Sequence, residues 1–170
     1  MNNITLIGMP SSGKSALGRI IAKKQEYEFI DGDRLIEDSG RTLPQIIEQD
    51  GDYALLKIEE EVLLGLSGTN KIFSPGGSCI YSKKAMEHIN EISLIVFLDV
   101  PYELIKERLD KKGVDKVIGL KEKTLKELFD HRRKLYLKYA NLIVELDNMP
   151  TLANANILFQ KIKEFQGDNL

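Results

Sequence analysis

The 170-residue sequence has few cysteines, little net charge and no long apolar run, and each of these shortages excludes a class of protein. Cys79 is its single cysteine, so no intrachain disulfide framework can form, and a reducing compartment is expected. The formal net charge of −2 argues against a nucleic-acid scaffold. No apolar run approaches the roughly 18 residues of a membrane helix, so no membrane partner is expected.

The organisation of the chain predicts one domain that spans residues 1–170. It has no internal repeats and no linker long enough to separate two domains. Only Met1, Asn2 and Asn3 precede the first predicted strand, which leaves no room for a secretory signal. We therefore expect a cytoplasmic monomer.

Short apolar strands alternate with helices along the chain. We predict strands at residues 4–7, 29–30, 71–74, 93–99 and 142–146. We predict helices at residues 14–24, 33–39, 43–50, 52–66, 82–90, 101–111, 125–139 and 150–165. This alternation predicts an α/β fold with a five-stranded parallel sheet flanked by helices. Residues 111–124 are polar and weakly periodic, which predicts a mobile segment.

Residues 8–15, Gly-Met-Pro-Ser-Ser-Gly-Lys-Ser, fit the P-loop pattern G-x-x-x-x-G-K-[ST] between a predicted strand and a predicted helix. Gly8 and Gly13 can take positive φ and let the backbone approach an anion closely. Main-chain N–H groups of the turn and helix start then point at phosphate oxygens. Lys14 supplies a cation for the β- and γ-phosphates, and Ser15 offers a hydroxyl to Mg²⁺. The pattern predicts ATP and Mg²⁺ as cofactors; an ordinary glycine-rich turn is the alternative.

Two carboxylates follow the second predicted strand. Asp31 and Asp33 lie two residues apart, so in an extended backbone they share a face. One carboxylate near Mg²⁺ and another near a substrate hydroxyl would suit phosphoryl transfer. Asp33 is also a suitable N-cap residue for the next helix, which is the structural alternative. The P-loop upstream favours the functional interpretation.

Three further features have a functional and a structural interpretation. Gly76 and Gly77 follow the third strand, where a substrate could lie against bare backbone or where the chain simply turns. Arg132 belongs to a basic run at residues 131–134 of a predicted helix, which by itself favours a solvent-facing position. Arg108 lies in another predicted helix and by itself indicates an ordinary surface residue.

Taken together, these stretches resemble the shikimate kinase family over residues 4–150. The matching stretches are residues 8–15, 17–19, 29–33, 36–37, 40–47, 51, 58–59, 76–77, 132, 135–136 and 139–140. The set is more specific than any one motif, because the P-loop alone does not separate shikimate kinases from other small kinases. The resemblance implies ATP-dependent phosphorylation of a small metabolite, with shikimate converted to shikimate 3-phosphate.

The resemblance also implies residue roles. It places ATP against Pro10, Ser11, Ser12, Gly13, Lys14, Ser15 and Ala16, with Arg108, Asn148 and Pro150 near the adenine and Lys116 as the nearest lid cation. It implies that Ser15 binds Mg²⁺ with support from Asp31. It assigns catalysis to Asp33 and Lys14, substrate binding to Asp33, Gly76, Gly77 and Arg132, and the lid to residues 111–124.

Three departures from the family pattern bear on the acceptor. Leu56 stands where the family has an arginine that grips the substrate carboxylate, and Lys57 lies about 100° further around the helix. The lid lacks the family's arginine, and its nearest cation, Lys116, has no bidentate fork. Ser78 replaces a third glycine. Losing a charged partner of a buried carboxylate costs about 2–5 kcal/mol. A kinase of a gluconate-like acid, or a non-catalytic nucleotide-binding regulator, is therefore the alternative function.

Overall fold

A five-stranded parallel sheet forms the centre of the structure, a computed structural model that describes residues 3–167. The strands are β1 (Ile4–Ile7), β2 (Glu28–Asp31), β3 (Lys71–Ser74), β4 (Leu94–Asp99) and β5 (Leu142–Glu145), in the order β2-β3-β1-β4-β5. The helices are α1 (Lys14–Gln25), α2 (Gly32–Glu37), α3 (Leu43–Asp50), α4 (Asp52–Leu64), α5 (Lys83–Ile92), α6 (Tyr102–Lys112), α7 (Leu125–Tyr139) and α8 (Thr151–Gly167). The predicted fold class is confirmed.

The central strand β1 and its neighbour β4 are the most apolar strands of the sheet. All four residues of β1 are buried, and Ile4 pairs with Leu94 while Ile7 pairs with Phe97. Continuous burial suits a parallel strand that is covered on both faces. Because β1 lies between β3 and β4, the strand order reverses beside it, and this is where α/β sheets bind ligands. No helix within residues 3–167 is long and apolar enough to cross a membrane.

Several helices begin where side-chain caps satisfy their free N–H groups. The Thr42 hydroxyl accepts from the Gln45 N–H at the start of α3, and the Gln45 side chain accepts from the Thr42 N–H in return. Ser82 caps α5 by accepting from the Ala85 N–H at 3.0 Å. Thr42 and Ser82 are hydroxyl residues directly before their helices, and the sequence favours both as N-caps, which the structure confirms.

Helix α4 buries a carboxyl group beside the apolar residues that its sequence pattern favours. The sequence pattern favoured Leu55, Ile58, Val62 and Leu66 as one apolar stripe. In the structure Leu55 and Leu66 are buried, but Ile58 and Val62 are only half-buried. The most buried row of α4 includes Glu59, which is 6 % exposed. The helix therefore places a carboxyl group in the protein interior.

The predicted lid, residues 111–124, is partly helical and partly docked. Its first two residues complete α6, and Val117 and Ile118 are buried in spite of the polar sequence around them. Ile118 joins a small hydrophobic cluster under α2, α3 and α4, which contains Ile36, Leu43, Ile46 and Leu55. Apolar anchoring therefore holds the segment over the carboxyl ends of the strands, which the weak periodicity did not reveal.

Candidate active site

The P-loop connects β1 to α1 with the backbone that its glycines permit. Gly8 has φ 151° and Gly13 has φ 98°, and Ser11 also takes a positive φ of 64°. No side chain caps the N-terminus of α1, and its first turn holds no acidic residue. The first N–H groups of a helix have no intrahelical acceptor. The N-terminus of α1 is thus open to an anion, as the motif predicts.

Lys14 is buried within this turn. Its Nζ donates to the Gly8 carbonyl at 2.9 Å and to the Met9 carbonyl at 3.0 Å. Burial lowers the pKa of Lys14, and the nearby Asp33 carboxylate opposes that shift. An ammonium group carries three donors, so one N–H remains for a ligand.

A cleft of about 650 Å³ opens beside the P-loop at the carboxyl ends of the strands. The predicted site residues that line it are Pro10, Ser11, Gly13, Lys14, Ser15, Ala16, Asp31, Asp33, Gly76, Gly77, Lys116 and Arg132. Lid residues such as Val117 close one side. Ser12, Arg108 and Asn148 are not among its lining residues. The fold thus brings most of the predicted residues to one cleft.

Asp31 and Asp33 reach the cleft by a different route from the one predicted. Asp31 ends β2, and α2 begins at Gly32, so Asp33 lies in the first helical turn rather than in an extended segment. The prediction that both carboxylates share one face of an extended backbone is therefore wrong. The N-cap alternative is also wrong for Asp33, because the cap position belongs to Asp31 and no side chain caps α2.

The Asp33 carboxyl group is left without a partner. Its Oδ1 is buried and accepts no hydrogen bond within residues 3–167. Burial raises the pKa of Asp33, and the nearby Lys14 ammonium opposes the rise. A buried unpaired acceptor costs about 1–3 kcal/mol. An unpaired carboxyl group that faces a cleft is therefore well suited to accept a ligand hydroxyl.

Oxygen atoms suited to Mg²⁺ surround the start of α1. Ser15 Oγ and Ser74 Oγ share a hydrogen bond at 3.3 Å, and Arg19 donates to Asp31 Oδ2 at 3.3 Å. Mg²⁺ prefers hard oxygen ligands and commonly binds through one or two protein groups, substrate phosphates and water. Ser15 and Asp31 both line the cleft and fit that donor set.

Arg132 is buried in α7, with only 1 % of its surface exposed. Its Nε donates to the Tyr81 hydroxyl at 3.1 Å, and its Nη2 donates to the Ile118 carbonyl at 2.9 Å. The solvent-facing position favoured by the basic run is therefore wrong for Arg132. Its guanidinium joins the lid to the wall of the cleft.

The glycine turn after β3 is packed from two sides. A Cβ on Gly76 would collide with Glu59 Oε1, and one on Gly77 would lie 2.8 Å from Pro10 Cδ. The Tyr136 hydroxyl also donates to the Gly77 carbonyl at 2.5 Å. At Gly77 a Cβ would clash with a rigid proline ring, whereas at Gly76 it would displace the Glu59 carboxyl group. Contact of the turn with substrate remains a prediction.

Glu59 lines the cleft but was not among the site residues predicted from the sequence. It accepts a hydrogen bond of 2.5 Å from Ser78 Oγ. Burial raises the pKa of Glu59 to about 7, although the hydrogen bond from Ser78 opposes the rise. The available signal was its spacing, because Glu59 follows Leu55 and precedes Leu63 by one helical turn each.

The remaining predicted residues lie around the cleft. Lys116 Nζ pairs with Glu37 Oε1 at 2.9 Å at the edge of the lid. Arg108 is half-buried and donates through Nη1 to the Ser11 carbonyl at 3.2 Å, which places it against the P-loop. Asn148 is exposed in the loop after β5. Their contacts with a nucleotide remain predictions.

This architecture is that of a small P-loop kinase. The chain belongs to the shikimate kinase family, whose sequence profile matches residues 10–164. It is 37 % identical over 169 residues to a shikimate kinase of Clostridium botulinum (strain 657 / Type Ba4), covering 96 % of this chain and 99 % of that one. The family therefore predicts an ATP-dependent enzyme that acts on a small molecule.

Solved structures agree with the family assignment. A shikimate kinase from Acinetobacter baumannii in complex with shikimate has a TM-score of 0.85 and 31 % identity, covering 99 % of this chain and 94 % of that one. The Aquifex aeolicus shikimate kinase has a TM-score of 0.80 and 30 % identity, covering 96 % of this chain and 98 % of that one. A gluconokinase from Sinorhizobium meliloti 1021 has a TM-score of 0.56 and 19 % identity, covering 98 % of this chain and 94 % of that one. This similarity shows the fold alone.

Proposed function

We propose that the protein transfers the γ-phosphoryl group of ATP to shikimate, giving shikimate 3-phosphate, with Mg²⁺ as the metal. One observation carries the proposal: Asp33, whose buried Oδ1 has no hydrogen-bond partner within residues 3–167, lines the same cleft as Lys14 and Arg132. This arrangement offers a proton acceptor and a carboxylate ligand to the phosphoryl acceptor, beside a phosphate ligand for ATP. The family membership and the full-length similarity to shikimate kinases support this acceptor.

The chemistry follows from position and charge. The amides of the P-loop and the Lys14 ammonium would hold the triphosphate and stabilise charge on the transferring group. Asp33 would orient the acceptor hydroxyl and accept its proton as the new P–O bond forms, while the bond from the γ-phosphorus to the ADP oxygen breaks and ADP leaves. Ser15 and Asp31 would hold Mg²⁺, which neutralises phosphate charge. Arg132 would fix the acceptor through its carboxylate.

Leu56 favours a second candidate, a kinase of a gluconate-like sugar acid. The Leu56 side chain packs against the hydrophobic cluster below α3 and supplies no charge where the resemblance implies an arginine. Arg132 suits a carboxylate in either acceptor, so it does not separate the two candidates. The gluconokinase-like fold neighbour does not separate them either, because at 19 % identity it supports the fold only.

Acceptor-dependent ADP release tests the proposal. Purified protein is incubated with ATP and Mg²⁺ and with shikimate, gluconate or no acceptor. We expect rapid ADP release with shikimate, and a product phosphorylated at the 3-hydroxyl by ³¹P and ¹H NMR. Background release with shikimate but turnover with gluconate would replace the first candidate with the second. ATP binding without turnover of any acceptor would favour a non-catalytic regulator.

We also infer a cytoplasmic monomer. Cys79 is buried, and its pKa is raised to about 12 by burial, which suits an unreactive structural thiol in a reducing compartment. Light scattering on the purified protein should give the mass of a single chain, 19.3 kDa. Cell fractionation should recover the protein with soluble cytoplasmic markers.

A further inference from the structure

The Arg132 guanidinium is held on two of its three nitrogens. Nε donates to the Tyr81 hydroxyl and Nη2 donates to the Ile118 carbonyl. A guanidinium group has five N–H donors in a fixed plane. These contacts use two donors, and the Tyr136 hydroxyl also hydrogen-bonds to the guanidinium, so the remaining N–H groups are the ones that a ligand in the cleft could meet. The direction of that free edge depends on what fixes the plane.

The contacts of Tyr81 restrain the plane of the Arg132 guanidinium. It ends the short 3₁₀ turn Cys79–Tyr81, which directly follows the glycine turn that lines the cleft. Its ring stacks on His131 with centroids 6.0 Å apart, and Arg132 Cζ lies 5.3 Å from the same ring. The ring contacts thus hold the Tyr81 hydroxyl beside Nε.

Tyr81 lies beside the position where the family pattern is broken. Tyr81 and Leu56 line one hollow of about 210 Å³, and this hollow shares Glu59 and Ser78 with the wall of the cleft. Leu56 is apolar and brings no charge to this hollow. A neutral phenol, rather than a second cation, therefore borders the buried guanidinium on this side.

We propose that Tyr81 is a positioning residue that sets acceptor affinity by fixing the Arg132 guanidinium for the acceptor carboxylate. A bidentate arginine–carboxylate pair requires a fixed plane, and fixing that plane before binding lowers the entropic cost of binding. Without its Nε partner, the guanidinium keeps the Ile118 carbonyl and the Tyr136 hydroxyl but loses the contact that fixes its Nε edge. The proposal rests on the proposed function in one respect, that the acceptor carries a carboxylate.

Tyr81→Phe tests the proposal, because it keeps the ring and removes only the oxygen that accepts from Nε. We expect KM for shikimate to rise about tenfold, which corresponds to one hydrogen bond to a charged group. We expect kcat and KM for ATP to stay at wild-type values. Tyr53→Phe is the matched control, because Tyr53 lines the same hollow but is 70 % exposed and stacks on Lys57 instead.

A carboxylate-free acceptor separates positioning from a general structural role. The shikimate ring without its carboxylate is a poorer acceptor, and its kcat/KM should be equal in the wild type and in Tyr81→Phe. An equal loss with both acceptors, or an unchanged KM for shikimate, would overturn the proposal. If the wild type uses gluconate instead of shikimate, the acceptor assignment fails while Tyr81 is tested on the gluconate carboxylate. Turnover of neither acid would overturn both.

Discussion

Ser78 Oγ donates a hydrogen bond of 2.5 Å to Glu59 Oε2, and this bond ties the turn after β3 to the buried face of α4. The pair lies in the wall of the cleft, and Glu59 Oε1 fills the space beside Gly76. Ser78 stands where the family pattern has a third glycine. The serine therefore gives the buried carboxyl group a partner that a glycine could not supply.

The burial of Glu59 should make stability depend on pH. Its folded pKa of about 7 lies above the ordinary value of 4.5, so the folded state binds the proton more tightly than the unfolded chain does. This contribution is complete below about pH 4.5 and is lost as the pH rises to about 7, by roughly 3 kcal/mol. Urea unfolding at several pH values measures it.

Glu59→Gln removes the titrating group and keeps an oxygen for Ser78. This variant should lack the loss of stability between about pH 5 and pH 7 that the wild type shows. Glu60→Gln is the control on the same helix, and it should keep the wild-type dependence because Glu59 is intact. Parallel stability profiles for the wild type and Glu59→Gln would contradict the assignment.

Asp33→Asn should remove the proton acceptor while keeping the shape of the side chain. We expect kcat to fall about 10²–10⁴-fold, the usual contribution of a general base. ADP affinity, measured by calorimetry, should be unchanged, because the P-loop contacts remain. Because the pKa of Asp33 is raised, wild-type kcat/KM should decrease as the pH is lowered. That decrease should begin at a higher pH than an ordinary aspartate would give. Normal turnover of Asp33→Asn would exclude the assigned role.

Gly18→Ala should destabilise the packing of α1 on the sheet. A Cβ at Gly18 would lie 2.5 Å from the Phe29 ring and 3.2 Å from Leu6 Cδ1. Overpacking costs about 1–3 kcal/mol, which exceeds the gain of about 1 kcal/mol in helix propensity. Gly65→Ala is the control, because its nearest contacts are at 3.5 Å and its φ is −81°. Denaturant unfolding should show a loss for Gly18→Ala only.

Ile118→Ala should loosen the docking of the lid. The substitution removes apolar surface from the cluster that contains Leu43 and Leu55. We expect faster hydrogen exchange across residues 116–121 and more ADP release without acceptor, because a docked lid excludes water. Val114→Ala changes an exposed residue of the same segment and should have neither effect. Wild-type exchange in Ile118→Ala would show that docking does not depend on this side chain.

The local sequence was sufficient for the elements of the nucleotide site. The P-loop is one contiguous strand, turn and helix start, and its backbone follows from glycines at positions 8 and 13. The caps at Thr42 and Ser82 act within four residues, so they could also be predicted. The strand and helix alternation likewise predicted the parallel sheet, because each apolar run is short and continuous.

Only the tertiary structure decided how distant segments meet in the half of the cleft that we propose for the acceptor. Arg132 is buried because Ile118 and Tyr81 supply acceptors from 14 and 51 residues away, and a basic run cannot encode such contacts. Glu59 is buried because the turn at Gly76 packs over α4. The local sequence determines which side chains lie on one face of a helix or turn. Whether those side chains are buried, and which groups they hydrogen-bond to, depends on packing with distant segments. The sequence by itself thus determined the phosphate cradle, and the fold decided the environment of the acceptor.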